Sequence, residues 1–239
     1  MKIADITIYE DDDLIAVNKA AGMLSVPDRE GKEISLKKIL EEKFGRIFIV
    51  HRLDKGTSGI ILFAKNEISH RNLSLQFQSG QIKKIYLGLV AGSPEKKQGR
   101  IDAPIAEHPV KKGMMVINRK GKESLTDYKV LEDFHVYSLA EFQIHTGRTH
   151  QIRVHASHIG HPIVCDELYG DGKPVLLSSF KRNYRLSKIE MEEKPILSRT
   201  ALHAEKLMIR KTDGESLELK APLSKDMKAL ITQLSKNIR

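Results

Sequence analysis

Nine residues from His51 to Gly59 read His-Arg-Leu-Asp-Lys-Gly-Thr-Ser-Gly. One carboxylate, Asp54, stands among His51, Arg52 and Lys55, between a β-branched run and a glycine-rich turn. Neighbouring cations favour the ionised form of an acid, and an ionised carboxylate in a basic setting suits a nucleophile or base acting on a bound polyanion. Asp-Lys-Gly is also ordinary turn chemistry, because Asp accepts from the next amides and Gly takes positive φ. The local pattern supports both readings.

A second stretch runs Thr146-Gly147-Arg148-Thr149-His150-Gln151-Ile152-Arg153-Val154-His155, followed by His158 and His161. Four histidines in twelve residues invite a metal. Helical geometry, however, offers only His155 and His158 as a clear same-face pair. No His-Glu-x-x-His occurs, and no acid lies between the histidines. The pattern fits structural histidines better, with Arg148 and Arg153 facing an anion. A third feature is Lys84-Ile85-Tyr86-Leu87, where Tyr86 is either a strand tyrosine packed in the core or an aromatic face for a nucleobase.

Composition narrows the partners. The chain has 239 residues and a formal net charge of +9. A chain this size can bury about 70% of its unfolded surface, enough for one sizeable core or two small ones. The single cysteine, Cys165, excludes an intramolecular disulfide framework. The longest apolar run, Ile60 to Ala64, is far short of the ~20 residues of a membrane span. No basic-then-apolar leader opens the sequence, so a cytoplasmic protein is expected. The positive balance suggests a polyanion, and the basic pairs are scattered, as suits phosphates on a folded nucleic acid. With no Trp and 5% aromatic residues, a broad stacking platform for single strands is not expected.

The elements that must hold these residues can be read in outline. Strands are predicted over 6–9, 14–18, 59–64 and 85–90, with a short β-branched run over 47–50. Ser35 and Asn66 cap helices over 36–44 and 67–78, stopped by Gly45 and Gly80. The middle region reads as hairpin strands over 100–105, 114–118, 125–131 and 136–144. A short helix is expected over 149–159, strands over 202–209 and 216–220, and a terminal helix over 225–234 capped by Ser224. Strands outnumber helices without alternating regularly with them, which predicts an α+β fold. Residues 171–199 carry no clear period and a net charge of +3.

Together and in this order, these stretches resemble the RluA-like family of RNA pseudouridine synthases. The similarity rests on His51-Arg52-Leu53-Asp54 through Thr57-Ser58-Gly59, and on Thr146 to His155. It continues in Gly160-His161-Pro162-Ile163 and in Asp166-x-Leu168-Tyr169-Gly170. Asp13 to Lys19 resembles the first strand motif, with Ala20 where a proline is usual, and Arg199-x-x-Leu202-His203-Ala204 the last. The resemblance spans residues 10 to 222 or so.

It implies an α+β fold with a mixed, largely antiparallel central sheet, flanking helices and loops, and a basic cleft. It also implies a reaction, in which a uridine in RNA is isomerised by breaking its glycosidic bond and rejoining the base through carbon. Asp54 is then the catalytic aspartate, Arg153 the arginine expected to pair with it, and Tyr86 the active-site tyrosine. Arg52, Arg148, His150 and Lys19 form the expected substrate-binding set. No metal or organic cofactor is implied. The expected partner is structured RNA, ribosomal or transfer, bound by a monomer with no membrane association. One catalytic domain over 1–239 is expected, with no separate N-terminal RNA-binding domain, because the first motif lies within the first twenty residues. Residues 171–199 are expected to be a loop insertion. Two rivals remain: a non-catalytic RNA-binding or ribosome-assembly protein on the same fold, and a metal-dependent phosphoesterase using the histidines.

Overall fold

A computed structural model describes residues 2–28, 32–186 and 192–237. The chain divides into two compact units, one of Met1–Tyr86 with His203–Pro222, the other of Leu87–Leu202 with Leu223–Arg239.

The first unit is built on strands β1 (Thr7–Glu10), β2 (Leu14–Lys19), β3 (Phe48–Ile49) and β4 (Ser58–Ala64), and on β11 (Leu202–Arg210) and β12 (Ser216–Lys220) from far along the chain. Every residue of β4 is buried, as its apolar run Ile60–Ala64 predicts for a strand covered on both faces. β2 pairs antiparallel with β4, and β11 pairs parallel with it through His203 opposite Ser58 and Ala204 opposite Gly59. That last pair explains Gly59. Its φ is +113°, and a Cβ there would lie 2.1 Å from the Ala204 carbonyl oxygen, so only glycine fits. Helices α1 (Leu36–Phe44) and α2 (Glu67–Gln78) match the predicted spans. Ser35 Oγ accepts from the Lys38 amide at 3.3 Å and Asn66 Oδ1 from the Ser69 amide at 2.9 Å, as their capping roles require.

Strand β5 (Lys83–Ala91) carries the chain from the first unit into the second. The second unit contains β6 (Gln98–Asp102), β7 (Ile105–Glu107), β8 (Met115–Ile117), β9 (Leu125–Asp133) and β10 (Tyr137–Ile144). β9 pairs antiparallel with both β10 and β6, while β7 and β8 form a separate hairpin. The strand expected over 100–105 is thus two strands broken at Ala103-Pro104, because proline has no N–H to give a ladder. α3 (Gln151–His158) begins two residues later than expected, after His150 turns left-handed at φ 56°. α4 (Lys225–Asn237) packs Met227, Leu230 and Leu234 inward.

The stretch 171–199 is closed at its base by paired Val175 and Leu197, both buried. It also holds a single 3-10 turn, Leu177–Ser179. Its residues 187–191 lie outside the described residues. The architecture is α+β with largely antiparallel sheet, as expected.

Candidate active site

In the first unit, the loop carrying Asp54 is held on both sides. Ser25 Oγ donates to the Leu53 carbonyl at 2.8 Å and accepts from the Leu53 amide at 3.1 Å. The Gly22 amide donates to the Lys55 carbonyl at 2.8 Å, and the Thr57 amide closes a turn onto the Asp54 carbonyl at 3.1 Å. Lys19, at the end of β2, is fully buried. Its ammonium donates to the carbonyls of Met23 at 2.9 Å, Ala20 at 3.1 Å and Lys55 at 3.4 Å. Lys19 thereby braces the same loop from inside. A carboxylate on a segment gripped this way is held in place before substrate arrives.

Asp54 itself is half-buried and Arg52 exposed. Tyr86, on β5, is buried. Burial raises its hydroxyl above the ordinary phenol range, and the nearby Asp54 carboxylate raises it further. The unit therefore brings together an aspartate and a tyrosine that keeps its proton at neutral pH.

His51 Nε2 accepts from the Leu62 amide at 3.0 Å, and its ring stacks on Phe77 with centroids 4.6 Å apart. Burial, with the ammonium of Lys84, pushes His51 down to about 3. Ser58 Oγ and His203 Nδ1, 3.0 Å apart, tie β4 to β11 beneath the Thr57-Ser58-Gly59 turn.

The second unit holds Arg148, His150 and Arg153. Buried Gln151 organises the turn before α3: its Oε1 accepts from Thr146 Oγ1 at 2.7 Å and the Arg148 amide at 3.0 Å. Its Nε2 donates to the Leu125 carbonyl and to Thr126 Oγ1, each at 3.0 Å. Arg148 is exposed and donates from Nε to the Glu123 carbonyl at 3.0 Å.

His150 Nδ1 and Tyr169 Oη are 2.8 Å apart, and the same hydroxyl accepts from the Met115 amide at 2.8 Å. Arg153 forms a bidentate pair with the fully buried Asp166 and lies 5.0 Å from the Tyr169 ring centre. Asp166 Oδ1 also accepts from the amides of Leu168 and Tyr169. Asp166, Tyr169 and Gln151 carry no assigned role in the sequence reading. The Asp-x-Leu-Tyr spacing was the one signal for the first two, because it lets one carboxylate take both following amides.

Two further histidines of this stretch, His155 and His161, are held structurally, while His158 is exposed. His155 is buried between Thr126 Oγ1 and the Ala103 carbonyl, each 2.9 Å away, and burial lowers its basicity. His161 Nδ1 lies 2.8 Å from the Ala91 carbonyl. Among the described residues, no group of three or more His, Cys, Asp or Glu is placed to hold a metal ion. Among them, too, no helix is long and apolar enough to cross a membrane.

Comparison with known proteins bears on this arrangement. A family model described as RNA pseudouridylate synthase matches residues 13–158. An RNA pseudouridine synthase of Chlorobaculum parvum is 38% identical over 243 residues, covering 95% of this chain and 73% of that protein. The ribosomal large subunit pseudouridine synthase D of Nitrosomonas europaea is 36% identical over 231 residues, covering 94% of this chain and 63% of that protein. Among solved structures, human RNA Pseudouridylate Synthase Domain Containing 1 is similar with a TM-score of 0.68 and 26% identity, covering 96% of this chain and 94% of that one. The family model over residues 13–158 and the 38% identity over 95% of the chain place this chain in the RNA pseudouridylate synthase family.

Proposed function

We propose that the chain isomerises uridine to pseudouridine in structured RNA, with ribosomal RNA as its substrate. Asp54 is the catalytic aspartate, Tyr86 the tyrosine beside the reacting base, and Arg153 the arginine of the second motif. Arg52, Arg148 and His150 serve the bound RNA. The enzyme is a cytoplasmic monomer. Ribosomal RNA is preferred over transfer RNA because a relative at 36% identity carries a ribosomal large subunit name.

The chemistry follows from the parts. An enzyme acting on a base within a strand must extrude it, at a cost of a few kcal/mol. Contacts between phosphates and a chain of net charge +9 can offset that cost. An ionised Asp54 attacks the nucleotide as a nucleophile and the C1′–N1 glycosidic bond breaks; the base turns and bonds to C1′ through C5, the bond to Asp54 breaks to return its carboxylate, and C5 loses a proton while N1 takes one up, so no net proton is exchanged. Tyr86, kept protonated, is a hydrogen-bond donor and a packing surface for the base.

The observation that carries this reading is the grip on Leu53 and Lys55 that holds Asp54 near Tyr86. The test is Asp54→Asn, assayed for pseudouridine on bulk ribosomal and transfer RNA. Isomerisation should vanish while RNA affinity stays within a few fold. Turnover by the Asn variant would remove Asp54 from its role. RNA binding without isomerisation by the wild type would leave an RNA-binding protein on this fold.

A further inference from the structure

A cavity of about 470 Å³ lies within the second unit between the β7–β8 hairpin and the Gly147-Arg148-Thr149 turn. Its volume falls in the range of small-molecule sites, roughly 300–1,000 Å³. Three cations line it: Lys120, Lys122 and Arg148, against one acid, Glu107. Among the described residues, none of the three cations makes an ion pair. Clustered cations left without acids raise the local potential for an anion.

The walls are built rather than loose. The Ile105 and Lys122 amides each donate to the other's carbonyl, at 2.9 and 2.8 Å. The Gly121 amide closes the preceding turn on the Asn118 carbonyl, and the Lys120 amide donates to Asn118 Oδ1. Gly121 sits so close to β7 that a Cβ on it would lie 2.5 Å from the Ile105 carbonyl carbon. Across the cavity, Arg148 is fixed through the Glu123 carbonyl and through Gln151. Met115 completes the lining, its amide anchored on Tyr169 Oη. A thioether packs well against a flat ring, and a guanidinium can stack on one.

Cations at the rim, a polarisable apolar wall and a nucleotide-sized volume make one combination. We propose that this cavity is a second nucleotide subsite, which takes one base and its flanking phosphates from the RNA at a position other than the reacting uridine. Lys120 and Lys122 hold the phosphates, and Met115 packs on the base. The site helps choose which uridine is modified by requiring a second exposed nucleotide at a fixed distance. This rests on the RNA reading above.

Two measurements test it on the full chain. The first needs no activity: a uridine-free RNA tetranucleotide is titrated while the Met115 methyl resonance is followed, assigned through Met115→Leu, with Met208 as reference. Met115 should shift saturably in the wild type, and the Lys120→Ser/Lys122→Ser variant should bind at least tenfold more weakly. An unmoved Met115, or equal affinity in the variant, overturns the subsite. A shift reproduced in full by inorganic phosphate would also overturn it, reducing the cavity to an anion site.

The second is steady-state isomerisation of ribosomal RNA. The double variant should raise KM with kcat unchanged and flatten the log–log salt slope by about 1.5–2 for two lost phosphate contacts. An unchanged KM and slope in an active enzyme refute the subsite alone. A wild type that never makes pseudouridine refutes the functional reading, while the tetranucleotide result still decides the cavity.

Discussion

The guanidinium of Arg153 grips both oxygens of Asp166, thirteen residues further along the chain, with Nε to Oδ2 at 2.5 Å and Nη2 to Oδ1 at 2.8 Å. Both side chains are buried. The pair fixes the rotamer of the motif arginine and anchors the Leu168-Tyr169 turn through the same carboxylate. Removing one partner of such a pair is costly, because the other charge stays behind without its matching acceptor or donor.

Asp166→Asn should therefore lower stability by about 3 kcal/mol and reduce the isomerisation rate as well. Arg153→Lys should keep only part of the activity, since a point charge cannot copy the planar fork. Urea unfolding and single-turnover rates check both. Wild-type stability in Asp166→Asn would show that the pair is not what holds this turn.

Tyr86→Phe separates ring from hydroxyl. With burial and Asp54 both keeping the hydroxyl protonated, its contribution is a donated hydrogen bond. RNA affinity should be nearly unchanged and turnover strongly reduced. A Phe variant at near-normal rate would reduce Tyr86 to a packing surface.

His51 should make stability depend on pH. Its folded pKa, about 3, is below its ordinary 6.5. The unfolded chain therefore takes the proton first, and the contribution is full above pH 6.5 and lost as pH falls toward 3. Between pH 7 and pH 5 the wild type should lose about 1–2 kcal/mol more than His51→Gln, after allowance for partial exposure. Parallel losses in both proteins would show that His51 is not the titrating group.

Gly59→Ala should abolish the native fold or cost more than about 4 kcal/mol, because β4 and β11 cannot keep their register around a Cβ. Soluble yield and the unfolding midpoint report it. A well-folded Ala variant would mean that the two strands can separate locally at no great cost.

Much of the scaffold was legible in the sequence because its signals are local. Ser35 and Asn66 announce helices by accepting from amides three residues on, and the apolar run Ile60–Ala64 announces the burial of β4. The motif stretches marked Asp54, Tyr86 and Arg153 through their likeness to a family. The structure adds what local pattern cannot carry. Lys19 is expected in the substrate-binding set, yet its ammonium is buried among the carbonyls of Ala20, Met23 and Lys55. Asp166 is read only as part of the Asp166-x-Leu168-Tyr169-Gly170 motif, and only the return of the chain after α3 brings it to Arg153. The break at Pro104 was visible as a residue but was outweighed by the β-rich run around it.

The pairing of β4 with β11 has a consequence for how the protein is made. Residues 203–222 belong to the unit that holds Asp54, yet they are synthesised after the second unit's main body. At about 5–20 residues per second, the ribosome needs roughly 7–27 s to go from Tyr86 to Pro222. Until His203 and Ala204 are made, β4, apolar from Ile60 to Ala64, lacks its parallel neighbour at Ser58 and Gly59. A nascent chain is thus exposed to misassociation until β11 and β12 emerge, and the aspartate's scaffold is finished only when they do.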